Sequence, residues 1–491
     1  MLAKMIKLGL ILVISLLCTF LMLNNLYIDI FFRVVSIVFW IHILGSDKNY
    51  SSKMLWLVVL FFNPFLGIML YIVFGHSYKE KEIFTRKNKT DKIFDQYIGD
   101  IRESVLKTDE NRILKNLGHA SFYQNTKFEI LQNGDEKFPR FLECIESATD
   151  HIHIEYYIYR DGKITTQIND ILRRKAKDGV DVRLMYDDVG SKKLSKEEIK
   201  SLKDAGVKIK AFGVVRIPFL SNQFNFRNHR KILVVDNKYG FIGGLNIADE
   251  YAGFITKFGF WRDTHMCMSG EAVRDLQITF AKDWYYETGE NFILENESRY
   301  LKVHSVNNSA EEVQIIASGP DNKGTSIEDI YFKLLTNAKH RIIIMTPYFI
   351  PGQDIVKALI TSAKNGVIVD IIVPGVPDYK AVHAVTRTYY DELLKAGINI
   401  YERTGSFVHG KVLVIDDQTS AVGTTNMDFR SFQLNFEITA FISSIKISER
   451  LINDLDNDIS VSKKISKKDW DKRPIIDRYA AAILQFFSPL L

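Results

Sequence analysis

Asn228-His229-Arg230-Lys231-Ile232-Leu233-Val234-Val235-Asp236, with Gly243-Gly244-Leu245-Asn246 six residues further on, is the stretch that decides how this chain folds. It occurs twice. His409-Gly410-Lys411 is followed after four residues by Asp416, and after six more by Gly423-Thr424-Thr425-Asn426. Both copies read His-x-Lys, Asp five beyond the Lys, Gly seven beyond the Asp and Asn three beyond that. Five identities at fixed offsets, repeated 180 positions apart, mark an internal duplication, and one site assembled from both halves is the reading they support.

The duplication reaches beyond the motifs. Ahead of Lys231 the apolar spacing predicts a helix over Phe138 to Ala148, a strand over Ile152 to Tyr159, a helix over Ile168 to Lys177, and strands at Val182 to Tyr186 and Val207 to Phe212. The second half repeats the order, with strands at Arg341 to Met345, Ile368 to Val373, Ile398 to Tyr401 and Val412 to Ile415. Strands alternating with helices predict α/β repeats with mixed sheets. Residues 135–300 and 301–470 are read as two tandem repeats, 79–134 as a charged helical connector, and 471–491 as a tail. The tail's apolar end, Ala480 to Phe487, fits either an interfacial helix or a terminal helix docked on the core.

At 491 residues the chain exceeds one ordinary core, and its 46% apolar and 25% charged content is globular. Three scattered cysteines exclude a disulfide framework and any Cys-based zinc site. The net charge of +5 suits an acidic surface without demanding nucleic acid. Residues 1–78 read as a membrane region of two or three spans: Leu55 to Phe74 is uncharged for twenty residues, and the first 45 residues hold one long apolar segment or two short ones. Lys79, Lys81, Arg86, Lys87, Lys89 and Lys92 follow the last span and place the body of the protein on the cytoplasmic side.

A His and a Lys two apart on a strand share a face. That is the pairing a phosphoryl group needs: a nitrogen to attack phosphorus and a fixed cation for the non-bridging oxygens. With two copies, one imidazole can attack while the other protonates the leaving alkoxide, through a phosphohistidine intermediate. Lys231 and Lys411 supply the charge a metal would bring, so no metal and no cofactor is expected. Gly243, Gly244, Gly423 and Thr424 are small enough to let backbone approach the phosphate, and Asn246 and Asn426 are neutral donors. A buried carboxylate should orient each imidazole: Glu437 for His409, and Glu250 or Asp263 for His229. Asp236 and Asp416 either share in the chemistry or cap the strand-end turn. Asp187-Asp188 reads as a turn rather than a metal pair, and His151, His153, His265, His340 and His383 lack motif partners and read as structural.

The doubled His-x-Lys pattern resembles the phospholipase D superfamily. Its flanks, Arg227 to Lys231, Gly243 to Tyr251, Phe260 to His265, Thr346 to Pro351 and Gly423 to Asp428, are similar to bacterial cardiolipin synthases of that type, as are Trp56 to Gly75 and the ending Phe487 to Leu491. The resemblance implies transfer of a phosphatidyl group from one phosphatidylglycerol to another, with His229, Lys231, Asp236, His409, Lys411 and Asp416 in the active-site roles and His229 as nucleophile. Thr424-Thr425 stands where many superfamily members carry Ser, which keeps a hydroxyl. The competing classes are a phospholipase D-type hydrolase and, less well, a nuclease, which the absence of a basic run with interleaved aromatics disfavours.

Overall fold

The computed structural model describes residues 25–46, 50–74, 78–97, 109–118, 120–215, 225–255, 259–304, 306, 311–321 and 327–474. The tail beyond 474 and the apolar stretch before 25 lie outside the described residues. The chain divides into two compact units, one built on Met1–Glu82 and the other on Ile83–Val215 and Gln223–Leu484.

In the first unit α1 (Leu26–Leu44), α2 (Tyr50–Phe62) and α3 (Pro64–Phe74) pack around Ile43, Trp56, Leu60, Ile68 and Tyr71. Asn25 caps α1 by accepting from the backbone N–H of Tyr27 and Ile28. At 19 residues α1 is long and apolar enough to span a bilayer. The expected twenty-residue span from Leu55 to Phe74 is not one helix. It breaks at Asn63, whose N–H closes α2 on Val59 O and whose side chain caps α3 by accepting from Leu66 N at 3.1 Å. Pro64 then sits at the first helical position, where a missing N–H costs nothing. Counting uncharged residues could not show this, because hydropathy carries no information about backbone direction.

The second unit holds two large sheets and two short two-stranded ones. The first has seven strands: β1 (Thr126–Gln132), β2 (His151–Tyr156), β3 (Asp181–Asp187), β4 (Lys208–Phe212), β5 (Lys231–Val235), β6 (Tyr239–Gly243) and, after the short β7 (Phe260–Arg262), β8 (Thr264–Gly270). Their order across the sheet is β1-β8-β6-β5-β2-β3-β4. The second half supplies β9 (Glu312–Ser318), β10 (Arg341–Met345), β11 (Phe349–Ile350), β12 (Ile368–Pro374), β13 (Asn399–Arg403), β14 (Ser406–Val408), β15 (Val412–Ile415), β16 (Thr419–Gly423), β17 (Met427–Asp428), β18 (Glu437–Ser443) and β19 (Ser462–Lys464). Its eight-stranded sheet runs β19-β13-β12-β10-β15-β16-β18-β9. In each sheet the motif strand lies antiparallel between a hairpin partner and the first strand of a parallel βαβ run, β2-β3-β4 or β10-β12-β13.

Alternation along the motif strands builds the core. Leu233 and Val235 face the helices of the first half, and Leu413 and Ile415 those of the second. Ile232, Val234, Val412 and Val414 point the other way, into a shared apolar core where the two sheets meet. The stretch read as connector is less detached than its charge suggested: β1 lies within it, and Leu114 and Ala120 join the second half's core. Helix α4 (Tyr78–Asp91) runs into the second unit and buries Lys87 there.

Candidate active site

His229 stands two residues before β5 and His409 three before β15, and a segment of the other half holds each there. Asn228 bridges Phe436, and His229 N donates to Phe436 O at 2.9 Å. On the other side β14 pairs in parallel with β7, and His409 N donates to Arg262 O at 2.7 Å. These crossed pairings bring each histidine beside a carboxylate of the opposite repeat. His229 Nδ1 lies 2.9 Å from both oxygens of Glu437, and His409 Nδ1 lies 2.6 Å from Asp263 Oδ2. The expected assignment is therefore reversed. Glu437 serves His229, Asp263 serves His409, and Glu250 pairs with Arg160 at 2.9 Å instead. Both carboxylates are fully buried and the imidazoles nearly so.

Burial pushes the Glu437 carboxyl up, but His229 and Lys231 outweigh it and hold it below the usual range; Asp263 is likewise depressed by His409 and Lys411 against its own burial. With Nδ1 held, Nε2 of each ring is free to face a substrate. Burial lowers His229 to about 4, Glu437 opposing and Lys231 and Lys411 adding to the fall. His409 is lowered to about 3 by burial and Lys411, against Asp263. Both rings are neutral at rest. The ammonium groups of Lys231 and Lys411 each donate to the carbonyl of their own motif histidine. Burial brings Lys231 down to about 7, with repulsion from Lys411 next, and brings Lys411 down to about 8 against Asp263 and Glu437. Two buried lysines whose charge is suppressed by burial, with Lys411 also repelling Lys231, would hold their protons more firmly once an anion lies between them.

The rest of the expected set divides. Asp236 and Asp416 do not face the histidines. Asp236 accepts from Thr149 N, Thr149 Oγ1, Asp150 N and His151 N, and Asp416 from Lys339 N, His340 N and Arg341 N. Each anchors the loop entering the neighbouring strand from a turn with φ of 52° at the Asp. A catalytic part for these two is therefore replaced by the turn-capping one: the strand carries them away from the pocket. The glycines admit protein rather than phosphate. A Cβ on Gly244 would stand 2.0 Å from Asp263 Oδ1, one on Gly243 2.5 Å from His265 Cα, and one on Gly423 2.4 Å from Ile438 O. Thr424 donates to Glu437 Oε2 at 2.6 Å, which fixes that carboxylate. Asn246 is spent on Ile158 N and the Tyr251 hydroxyl, so it is no phosphate donor; Asn426 hydrogen-bonds Asp428.

The site has aromatic walls: the position of Tyr157 after the first strand of its half marks it for the site mouth, whereas sequence reasoning did not single out Tyr251 and Trp261. Tyr157 stands edge-on to His229 at 4.9 Å, and Tyr251 and Trp261 flank His409 at 5.7 and 5.6 Å. Their place after β2 and beside the second half's β14 was the available signal. Sequence reasoning also missed the charges beneath His229. Arg230 donates to Glu437 O at 3.1 Å and pairs with buried Asp283. Asp283 in turn is 3.0 Å from Lys87, which also reaches Asp91 at 2.8 Å and Asp321 at 3.4 Å. Asp187 caps its turn through Val189 N and Gly190 N and holds Asn228 N, as a strand-end role requires. Among the described residues no group of three or more His, Cys, Asp or Glu is placed to hold a metal ion.

The family model described as "Cardiolipin synthase, PLD-like domain" matches residues 141–284 and 331–459, and that described as "Phospholipase_D-nuclease N-terminal" matches 34–76. Cardiolipin synthase 2 of Bacillus anthracis is 42% identical over 91% of this chain and 88% of its own. The major cardiolipin synthase ClsA of Bacillus subtilis (strain 168) is 34% identical over 96% of this chain and 100% of its own. Among solved structures, phosphatidylserine synthase of Haemophilus influenzae Rd KW20 shares the fold at TM-score 0.62 and 15% identity, over 78% of this chain and all of that one.

Proposed function

Because the chain belongs to the bacterial cardiolipin synthases of the phospholipase D type, we propose that it joins two phosphatidylglycerols into cardiolipin and glycerol, with His229 as nucleophile and His409 as acid and then base. The observation that carries this reading is the pair of crossed dyads, His229 with Glu437 and His409 with Asp263, closed over two buried lysines. In the first half-reaction His229 Nε2 attacks phosphorus, the bond from phosphorus to the glycerol oxygen breaks, and His409 gives that oxygen its proton. In the second, the terminal hydroxyl of another phosphatidylglycerol gives a proton to His409, its oxygen attacks phosphorus, and the phosphorus–nitrogen bond breaks to restore His229. His409 gains its starting proton as the diester enters, since a nearby anion raises an imidazole's pKa. Lys231 and Lys411 hold the non-bridging oxygens, and Glu437 stabilises the positive charge that grows on the ring of His229.

The same chemistry with water in place of the second alcohol would be a phospholipase D, and pocket shape alone decides between them. The enzyme is membrane-associated. Its catalytic unit is assigned to the cytoplasmic side of a multi-pass anchor, a placement supported by α1 and by the basic run from Lys79 to Lys92. Purified full-length protein in detergent, given phosphatidylglycerol and no divalent metal, is expected to release glycerol and cardiolipin one for one. Phosphatidic acid as the main product would overturn the transferase reading. Mass spectrometry of the acid-sensitive phosphopeptide after a quench places the covalent intermediate on His229, and a phosphate found on His409 would exchange the two roles.

A further inference from the structure

We infer that residues 50–74 form a re-entrant hairpin, which enters the membrane and returns to the face it came from without crossing. The arms touch where a continuous helix would hold them apart. The Trp56 and Tyr71 rings meet edge-on at 5.2 Å, although fifteen positions of straight helix would separate them by about 22 Å. A Cβ on Gly67 would lie 2.7 Å from Leu60 Cα, so the two backbones are in contact. Only glycine permits that approach. The arms are also short: 13 residues of α2 rise about 20 Å and 11 of α3 about 16 Å, against a hydrocarbon core of about 30 Å.

The partner for this surface is lipid hydrocarbon. Phe62 at the hairpin tip is 80% exposed, and Phe61, Met69 and Ile72 are also bare. Neither arm contains a charged residue beyond Lys53 near the start of α2, whose ammonium reaches Leu44 O at 2.9 Å at the end of α1. Backbone at the turn is satisfied internally, by Asn63 N on Val59 O, Gly67 N on Asn63 O and the Asn63 side chain on Leu66 N, as a break at membrane depth demands.

The charges along the sequence agree. Lys48 stands just before the hairpin and Lys53 at its start, and the basic run begins just after it. A hairpin that does not cross leaves both flanks on one side, whereas a crossing would put them on opposite faces, against the positive-inside bias.

The test is cysteine accessibility in the full chain, with Ser46→Cys and Ser77→Cys made singly in a background where Cys18, Cys144 and Cys267 are replaced and cardiolipin formation is retained. A membrane-impermeant maleimide is applied to right-side-out and to inverted vesicles. Both positions are expected to label from the same side, and labelling from opposite sides overturns the hairpin. A second variant, Trp56→Cys with Tyr71→Cys, is bridged within one chain by a short bifunctional thiol reagent if the arms touch. In a continuous helix these positions lie about 22 Å apart, beyond the reach of such a reagent, and two thiols left unbridged would also sink the proposal.

Discussion

Replacing Glu437 by Gln removes one charge and almost no volume from the pocket. In the resting enzyme the loss is modest, because His229 is neutral and the Gln carbonyl can still accept its Nδ1 proton. During attack on phosphorus the ring becomes cationic, and the buried carboxylate at 2.9 Å is then its counter-ion. Between charge centres about 4 Å apart at an effective dielectric of about 20, that attraction is worth about 4 kcal/mol. Only part of the charge has formed at the transition state, so about 2–4 kcal/mol is lost, a fall in kcat of about 30- to 1000-fold. KM should stay level or drop, since a negative charge has left a pocket that binds an anion. Glu437 also raises the His229 pKa from below, so its removal moves the acid limb of the pH profile to lower pH. The assay is the initial rate of glycerol release in mixed micelles at varied phosphatidylglycerol surface fraction, with thermal melting to confirm the fold. A folded variant that keeps more than a third of wild-type kcat would refute the claim that Glu437 faces the reacting ring.

Gly244→Ala drives a methyl into Asp263; overpacking of about 1–3 kcal/mol falls on the His409 dyad and lowers kcat about 5- to 150-fold in micelle assays, with no loss of the fold by circular dichroism. Inorganic phosphate titrated calorimetrically in buffers of different ionisation enthalpy should draw in more protons at pH 8, where Lys231 is mostly neutral and Lys411 about half charged, than at pH 6, where both lysines already carry theirs and only His409 takes one up. Asp416→Asn points an amide at backbone N–H groups that the carboxylate now satisfies; it should cost about 1–3 kcal/mol of stability in urea unfolding, while kcat per folded molecule changes less than about threefold. Lys87→Met strips the cation from Asp91, Asp283 and Asp321, destabilising by about 3–5 kcal/mol, and because Asp91 and Asp283, which Lys87 holds down, then keep their protons more tightly, the deficit should shrink as pH falls from 8 to 5.

The strands around His229 and His409 were legible because period-two alternation and fixed motif spacing are local properties. The carboxylate assignment was not. Glu437 and Asp263 reach their histidines only through the Asn228–Phe436 bridge and the β14–β7 pairing, contacts between halves some 150 to 200 positions apart that no local spacing encodes. Asp236 and Asp416 misled for the opposite reason. Their place in the motif is rigid, but what it conserves geometrically is the loop after the strand rather than the pocket before it. At the membrane, Asn63-Pro64 carried the decisive signal within an uncharged run, as a cap followed by a first-turn proline.

The burial of Lys87 bears on where this enzyme can be cut. A soluble version trimmed just before the first sheet, at residue 120, would look tidy from the strand order, yet it would strip the ammonium from two interior acids, Asp283 and Asp321, the first of which pairs with Arg230 next to His229. Phe94 and Tyr97 would leave holes beside it. Removal of the anchor should therefore stop at Glu82, so that the severed enzyme keeps the last turns of α4 as its own plug.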